Sequence, residues 1–426
     1  MRIAIASLGS RGDFQPMAAL AVALARRGHD IRLIAPHGYE GFTDEPGIDC
    51  RTVDYDLRAE LLSAEGRQLL HSGRNVAAGL RALRTLSRRS LRPACEGLGE
   101  HTQGSELLVC ETTTMLVMET IAELRGLPCV PVMLQPRFPT SAFPNPFAAP
   151  PRRPLPGWAN RLHHHLIDQL IWQAVRSLAN DSRRELFGLP PWPPLGPFAQ
   201  FRRSGRSLLM AYSRHVVPRP ADWPSQIEVT GYWFLDHRSA WQPPADLLAF
   251  LAAGPPPIYI GFGSMTLVDP AVMAALVLSA VAQAGCRAVL AAGWGGLRAT
   301  RLPANVLAIE EAPHDWLFPR MAAVVHHGGA GTTAAALRAG LPSIVVPFMG
   351  DQFFWASILA QKGVAPAAVP QTRLSAAALS RAITLALGDA AMRQRAAALG
   401  TLVREEDGVG RAAARIEAIG AGWRQA

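Results

Sequence analysis

The chain has 426 residues, 49% hydrophobic and 18% charged, enough for two cores of ordinary size and too apolar for a disordered chain. Lys+Arg 42 against Asp+Glu 33 leaves a formal charge of +9 and a pI near 10.0, which favours anionic partners such as nucleotides, phosphates or lipid head groups. Lys362 is the only lysine, so the basic charge is nearly all arginine, a residue that grips phosphate through two hydrogen bonds but also tracks genomic base composition.

Met1 to Ser10 carries one basic residue and a short apolar run ending in a Gly-rich turn, unlike a signal peptide. The longest apolar stretch, Ala271 to Ala284, is shorter than the roughly 18 residues a membrane span needs. Cys50, Cys95, Cys110, Cys129 and Cys286 are scattered and lack CxxC pairing, and they read as buried thiols in a reducing compartment. The expected location is the cytoplasm, with peripheral contact at the inner face of an anionic membrane.

Ile3 to Ser7 reads as a strand, Gly9 to Asp13 as a Gly-rich loop, and Phe14 to Arg27 as a helix stopping at Gly28. Asp30 to Ala35 supplies the next strand of a parallel β-α-β unit. Glu106 to Cys110, Thr114 to Arg125 and Cys129 to Leu134 repeat it. Prolines crowd Pro136 to Pro156 among Phe138, Phe143 and Phe147, which predicts a long apolar loop. Ser207 to Ser213 and Ile227 to Gly231 close the first half. Trp233 to Pro257, with one short helix from Ala245 to Ala252, reads as the boundary region.

The second half restarts with strand Ile258 to Gly261, loop Gly261 to Met265 and helix Ala271 to Ala284. Strands Ala288 to Ala291, Val306 to Ile309 and Ala323 to His326 follow, then a Gly-rich loop, a helix to Gly340 and strand Ser343 to Pro347. Two tandem doubly wound α/β domains result, with ligands expected beyond the carboxyl ends of the strands and in the cleft between the domains.

His326-His327-Gly328-Gly329-Ala330-Gly331-Thr332-Thr333 follows a strand and opens a helix, where free N–H groups and the helix dipole favour phosphate oxygens. A Gly-rich turn capped by Thr332 would leave the same pattern. Asp351-Gln352 falls at the same rim, and a carboxylate beside a carboxamide suits several hydroxyls, as on a sugar. Neither Gly9 to Asp13 nor Gly261 to Ser264 completes GxGxxG, and GxxxxGK[ST] is absent, which weakens dinucleotide and P-loop readings. Asp54-Tyr55-Asp56 lacks companion ligands, and three consecutive histidines, His163 to His165, cannot all face one ion from a helix; both read as surface, and no metal is expected.

At GSRGDFQPMAALAVALARRGHDIRL and APHDWLFPRMAAVVHHGGAGTTAAALRAGLPSIVVPFMGDQFFWA the chain resembles the UDP-glycosyltransferase superfamily with the GT-B fold. The resemblance leans toward the branch of sterol, lipid and glycopeptide-antibiotic glycosyltransferases. It implies an N-terminal acceptor-binding Rossmann-like domain (1–236), a C-terminal nucleotide-sugar-binding one (237–404) and a helix (405–426) packing back on the first. It also implies an inverting, metal-independent hexosyltransferase with no cofactor, taking UDP-glucose as co-substrate.

Within that resemblance Asp13 is the general base. Ser10 and Arg11 reach the donor diphosphate from the first domain; Ser264, His327, Gly329, Ala330, Gly331 and Thr332 hold it from the second. His314 and Trp316 lie on the nucleobase side, and Asp351 and Gln352 bind the sugar. Phe138, Phe143, Phe147 and Trp158 face a hydrophobic acceptor, a sterol, lipid, carotenoid or polyketide. Arg67, Arg74, Arg81 and Arg88 recur every seven residues with interleaved leucines, a basic amphipathic face suited either to an anionic membrane or to plain solvent. A dTDP-deoxysugar transferase and a nucleotide-sugar epimerase are the alternatives, and nucleic acid is not an expected partner.

Overall fold

The computed structural model describes residues 1–425 except 41, 44, 71–75, 149, 152, 237–240, 264, 266–269 and 294–301. The chain forms two units, Met1–Phe147 with Pro151–Leu235 and Asp407–Ala426, and Ala148–Pro150 with Asp236–Glu406.

The first unit opens with β1 (Arg2–Ala6), α1 (Arg11–Ala25), β2 (Asp30–Ala35) and β3 (Ile48–Thr52). Helices α2 (Leu57–Leu62), α3 (Ala64–Leu70) and α4 (Val76–His101) lead to β4 (Leu107–Glu111), α5 (Met115–Arg125) and β5 (Cys129–Met133). Then come α6 (Gly157–Glu185), α7 (Phe198–Arg203), β6 (Leu208–Met210) and β7 (Ile227–Val229). All seven strands are parallel in the order β3-β2-β1-β4-β5-β6-β7. Ile3 to Ala6 and Leu107 to Cys110 are exposed by no more than 1%, the continuous apolar runs of strands covered on both faces. The order reverses between β1 and β4, so a crevice opens at their carboxyl ends.

α1 begins three residues before the expected Phe14, because Ser10 and Asp13 close a capping box that winds Arg11 to Asp13 into the first turn. The predicted proline-rich segment is irregular from Pro136 to Pro156 among the described residues. Asp222 ties it down: Thr140 Oγ1 donates to its carboxylate at 2.6 Å, Ser141 N at 2.7 Å and Arg161 Nη2 at 2.9 Å. Burial works against the charge, but the bonds from Thr140, Ser141 and Arg161 hold the Asp222 carboxyl well below the usual range. The stabilisation is present above the ordinary carboxylate pKa and is lost as pH falls through the depressed one. Asp222→Asn should therefore cost about 1–3 kcal/mol near neutrality in urea unfolding, with the gap closing in strong acid. A gap independent of pH would contradict this account.

Two expectations need correction. His163 to His165 lie on α6, but His164 is fully buried and its Nε2 meets the Phe143 carbonyl at 3.1 Å, because the helix turns this side inward under the loop. Of the cysteines, Cys95, Cys110 and Cys129 are buried, whereas Cys50 and Cys286 are half-buried. In the arginine stripe, Arg67 and Arg81 are exposed, Arg74 lies outside the described residues, and of Arg88 only the backbone is described.

The second unit holds α8 (Ala245–Ala252), β8 (Ile258–Gly261), α9 (Pro270–Ala284), β9 (Ala288–Ala291) and β10 (Val306–Ile309). It continues with α10 (His314–Leu317), β11 (Val324–His326), α11 (Ala330–Arg338), β12 (Ser343–Val345), α12 (Gln352–Gln361), α13 (Ala376–Gly388) and α14 (Ala390–Glu405). Its parallel sheet runs β10-β9-β8-β11-β12 and reverses between β8 and β11. The last helix, α15 (Gly408–Gln425), belongs to the first unit, where Glu417 receives Arg27 at 2.9 Å and contacts His29 at 3.0 Å.

Candidate active site

In the first unit Asp13 sits at the reversal between β1 and β4. Ser10 N and Ser10 Oγ each donate to its Oδ2 at 2.9 Å. A side chain at Gly9 would place its Cβ 2.5 Å from Asp13 Oδ2, so only glycine lets the carboxylate lie against this loop. Burial raises the Asp13 pKa against the lowering effect of the two Ser10 bonds, which makes the carboxylate a better proton acceptor. Arg11 is exposed beside it, its guanidinium 5.9 Å from the Phe42 ring.

Sequence reasoning missed Glu111. It is the last residue of β4, 2% exposed, and its neighbour in the ladder, Cys110, pairs with Ala6 of β1. Thr113 donates to it from N at 2.8 Å and from Oγ1, while Leu8 N donates to Thr113 Oγ1 at 3.1 Å. Burial and the charge of Asp13 push the Glu111 carboxyl up to about 7. The two acids titrate as a pair at the switch point of the sheet. The available signal was an acidic residue closing an apolar strand just before Thr112 to Thr114.

Among the acceptor-side candidates, Phe138 packs edge-on against Trp223 at 6.1 Å, Phe143 lies 6.2 Å from the His164 ring, and Phe147 lies under the Arg137 guanidinium at 4.5 Å. These three line one loop. Trp158 is on α6 and exposed.

In the second unit β11 delivers His326 and His327. His326 is fully buried, accepts from Gly328 N at 3.1 Å through Nδ1, and leaves Nε2 without a partner. Burial lowers His326 to about 3 and His327 to about 4, so both rings are neutral at physiological pH. The loop then turns through Gly328 at φ 91° and enters α11 with Gly329 as N-cap. The amides of Ala330, Gly331 and Thr332 in that first turn have no intrahelical acceptor, as at any helix N-terminus able to receive an anion. His327 Nδ1 is buried without a partner, and its ring lies 3.0 Å from where a Cβ on Gly263 would be, so the β8 loop and the β11 loop meet at the second reversal point. Ser264 lies outside the described residues.

A Cβ on Gly328 would lie 2.7 Å from Val345 Cγ1 and 3.0 Å from the Gln352 carbonyl oxygen, which shows how closely the α11 and α12 loops approach. Gly328→Ala is expected to cost about 1–3 kcal/mol, read as a lower urea midpoint; an unchanged midpoint would refute the strain argument. Asp351 caps α12 and accepts from Trp355 Nε1 at 3.0 Å. Gln352 is buried, its Oε1 accepting from Phe348 N at 2.7 Å and Met349 N at 3.2 Å, and it thereby holds the loop that presents Asp351.

His314 stacks on Phe318 at 4.2 Å and 15°, and Trp316 is half-buried between Trp241, 5.0 Å away, and the Arg320 guanidinium at 4.1 Å. Both aromatics therefore contribute to packing around α10. The structure thus gathers His327, Gly329 to Thr332, Asp351 and Gln352 at one rim of this unit, and Ser10, Arg11, Asp13 and Glu111 at one rim of the other.

Comparison with known proteins bears on both rims. Residues 3–144 match the glycosyltransferase family 28 N-terminal domain, and residues 276–407 match the erythromycin biosynthesis protein CIII-like C-terminal domain. Sterol 3-beta-glucosyltransferase UGT80B1 of Arabidopsis thaliana is 36% identical across 98% of this chain and 68% of its own length. UGT80A2 of the same plant is 35% identical across 96% of this chain and 64% of its own length. For the sterol 3-beta-glucosyltransferase of Leptosphaeria maculans the values are 34%, 96% and 28%, so the chain spans only part of these relatives. Among solved structures, the calicheamicin glycosyltransferase CalG4 aligns over 98% of this chain and 97% of its own, with a TM-score of 0.67 and 18% identity. VinC, solved with dTDP, aligns over 99% of this chain and all of its own, with a TM-score of 0.66 and 18% identity. These two establish the two-domain GT-B architecture.

Proposed function

Because the chain belongs to the glycosyltransferase family of the sterol 3-beta-glucosyltransferases, we propose that it transfers glucose from UDP-glucose to the hydroxyl of a sterol or similar lipophilic alcohol. The observation that carries this reading is the Asp13 carboxylate, raised in pKa and fixed by Ser10 at the sheet's switch point in the family 28 domain. The acceptor oxygen attacks the anomeric carbon while its proton passes to Asp13. The bond from that carbon to the diphosphate oxygen breaks, UDP leaves with the electron pair, and an α-linked donor gives a β-glycoside.

The leaving diphosphate is held by the amides of Ala330, Gly331 and Thr332 at the start of α11, by neutral His327 donating from its ring, and by Gly329 allowing close approach. Ser264 from the β8 loop, with Ser10 and Arg11, adds donors to the same group. Asp351 binds sugar hydroxyls, with Gln352 beside it; His314 and Trp316 flank the base. Phe138, Phe143 and Phe147 supply an apolar wall to the acceptor, whereas Trp158 is exposed on the outer face of α6. The enzyme acts in the cytoplasm with peripheral membrane contact.

The test is UDP release from UDP-glucose with and without detergent-dispersed sterol. Sterol-dependent release supports transfer. Release from a dTDP-deoxysugar alone would favour the natural-product reading, for which the solved neighbours supply only the fold.

A further inference from the structure

α6 is inverted in polarity along its first three turns. Its inner face buries Asn160 (4% exposed), His164 (0%) and Asp168 (8%), while its outer face carries Trp158 at 71%, Leu162 at 58% and Leu166 at 54%. The inner polar groups have an assigned task. Asn160 Nδ2 donates to the Ser141 carbonyl at 2.9 Å, His164 meets the Phe143 carbonyl, and Asp168 pairs with Arg137 at 3.4 Å, so that together they hold the loop of Phe138, Phe143 and Phe147.

The outer apolar residues recur at i, i+4 and i+8, forming one stripe. Gln169 Nε2, one turn further on, donates to the Leu195 carbonyl at 2.6 Å, which brings Leu195, 73% exposed, onto the end of the same stripe.

The sequence 153–167, running into this stretch of α6, and 186–198, which carries Leu195, contain no Asp or Glu. Arg153, just before α6, is exposed, and the Arg161 side chain within it remains 55% exposed. The acids that approach from adjoining positions, Asp168 and Asp222, are largely buried and already paired with arginine. A contiguous apolar stripe with a tryptophan at one end and a purely basic margin matches an interface-bound helix on anionic lipid. No helix among the described residues is long and apolar enough to cross a membrane.

We infer that the α6 face of Trp158, Leu162, Leu166 and Leu195 seats this protein on the surface of a bilayer containing anionic phospholipid. The inference rests on the lipophilic acceptor proposed above, and it places the docking face on α6 rather than on the arginine stripe of α3 and α4.

The experiment is co-sedimentation with phosphatidylcholine vesicles with and without phosphatidylglycerol, comparing the intact chain with a Leu162→Ser/Leu166→Ser/Leu195→Ser variant. The intact chain should pellet with phosphatidylglycerol vesicles, and the variant should need at least about tenfold more lipid. Both should glucosylate detergent-dispersed sterol at the same rate. The inference is overturned if the intact chain stays in the supernatant, if the variant binds equally, or if the leucines instead mediate self-association. Should the triple variant fail to fold, Arg153→Glu must weaken vesicle binding, and unchanged binding would likewise overturn it. If the intact chain binds vesicles but releases no UDP with dispersed sterol, the functional reading fails and the docking face stands.

Discussion

Asp13→Asn should lower turnover of sterol and UDP-glucose by about two to four orders of magnitude while UDP binding stays unchanged. Asparagine retains the side-chain oxygen that accepts from Ser10, so the capping box and the start of α1 survive. What it lacks is a basic oxygen for the acceptor's proton. Asp13→Ala removes the cap as well and should add a stability loss of about 1 kcal/mol, which is why the amide is the cleaner variant. Steady-state rates paired with UDP titration calorimetry decide it: an asparagine variant with near-normal kcat would remove Asp13 from the chemistry.

The second large effect belongs to Glu111. Burial and the neighbouring Asp13 charge hold its carboxyl at about 7, above an ordinary value of 4.5. The fold therefore favours the protonated form. That stabilisation is complete below the ordinary value and disappears as pH rises through about 7. Glu111→Gln, neutral throughout, should match the wild type near pH 4.5 and exceed it in the alkaline range, by roughly 3 kcal/mol at most.

The Asp13 charge already stands beside Glu111 when Glu111 titrates, so Asp13 loses its proton next to a neutral residue in both chains. The acid limb of the kcat/KM profile should therefore stay in place, and only a change in rate near pH 7, where Glu111 ionises, should disappear. Urea unfolding at several pH values and a pH–rate profile test both parts. A stability difference that does not vary with pH, or an acid limb that moves, would contradict this account.

The residues that were legible in the sequence are those whose signal is local. Short apolar runs leading into Gly-rich loops marked strands β1, β8 and β11, and His327 to Thr332 announced a strand-to-helix turn because glycines and a hydroxyl recur there. Asp13 came instead from the family resemblance, and its place in the capping box with Ser10 needed the geometry.

Other features depend on tertiary neighbours. Glu111 matters only because β4 lies beside β1, a pairing across about a hundred residues. The burial of His164 follows from the proline-rich loop lying over α6, which no periodicity encodes. Gln352 read as a ligand, and its carboxamide proves to brace the loop, accepting from Phe348 N and Met349 N and reaching Met265 from the distant β8 loop.

The most direct test of the central claim is the anomeric configuration of the product formed from UDP-glucose and a detergent-dispersed sterol, read by proton NMR of the purified glycoside. Single displacement with Asp13 as base predicts a sterol β-glucoside appearing in step with UDP. An α-glucoside, or UDP release that yields only free glucose, would contradict it.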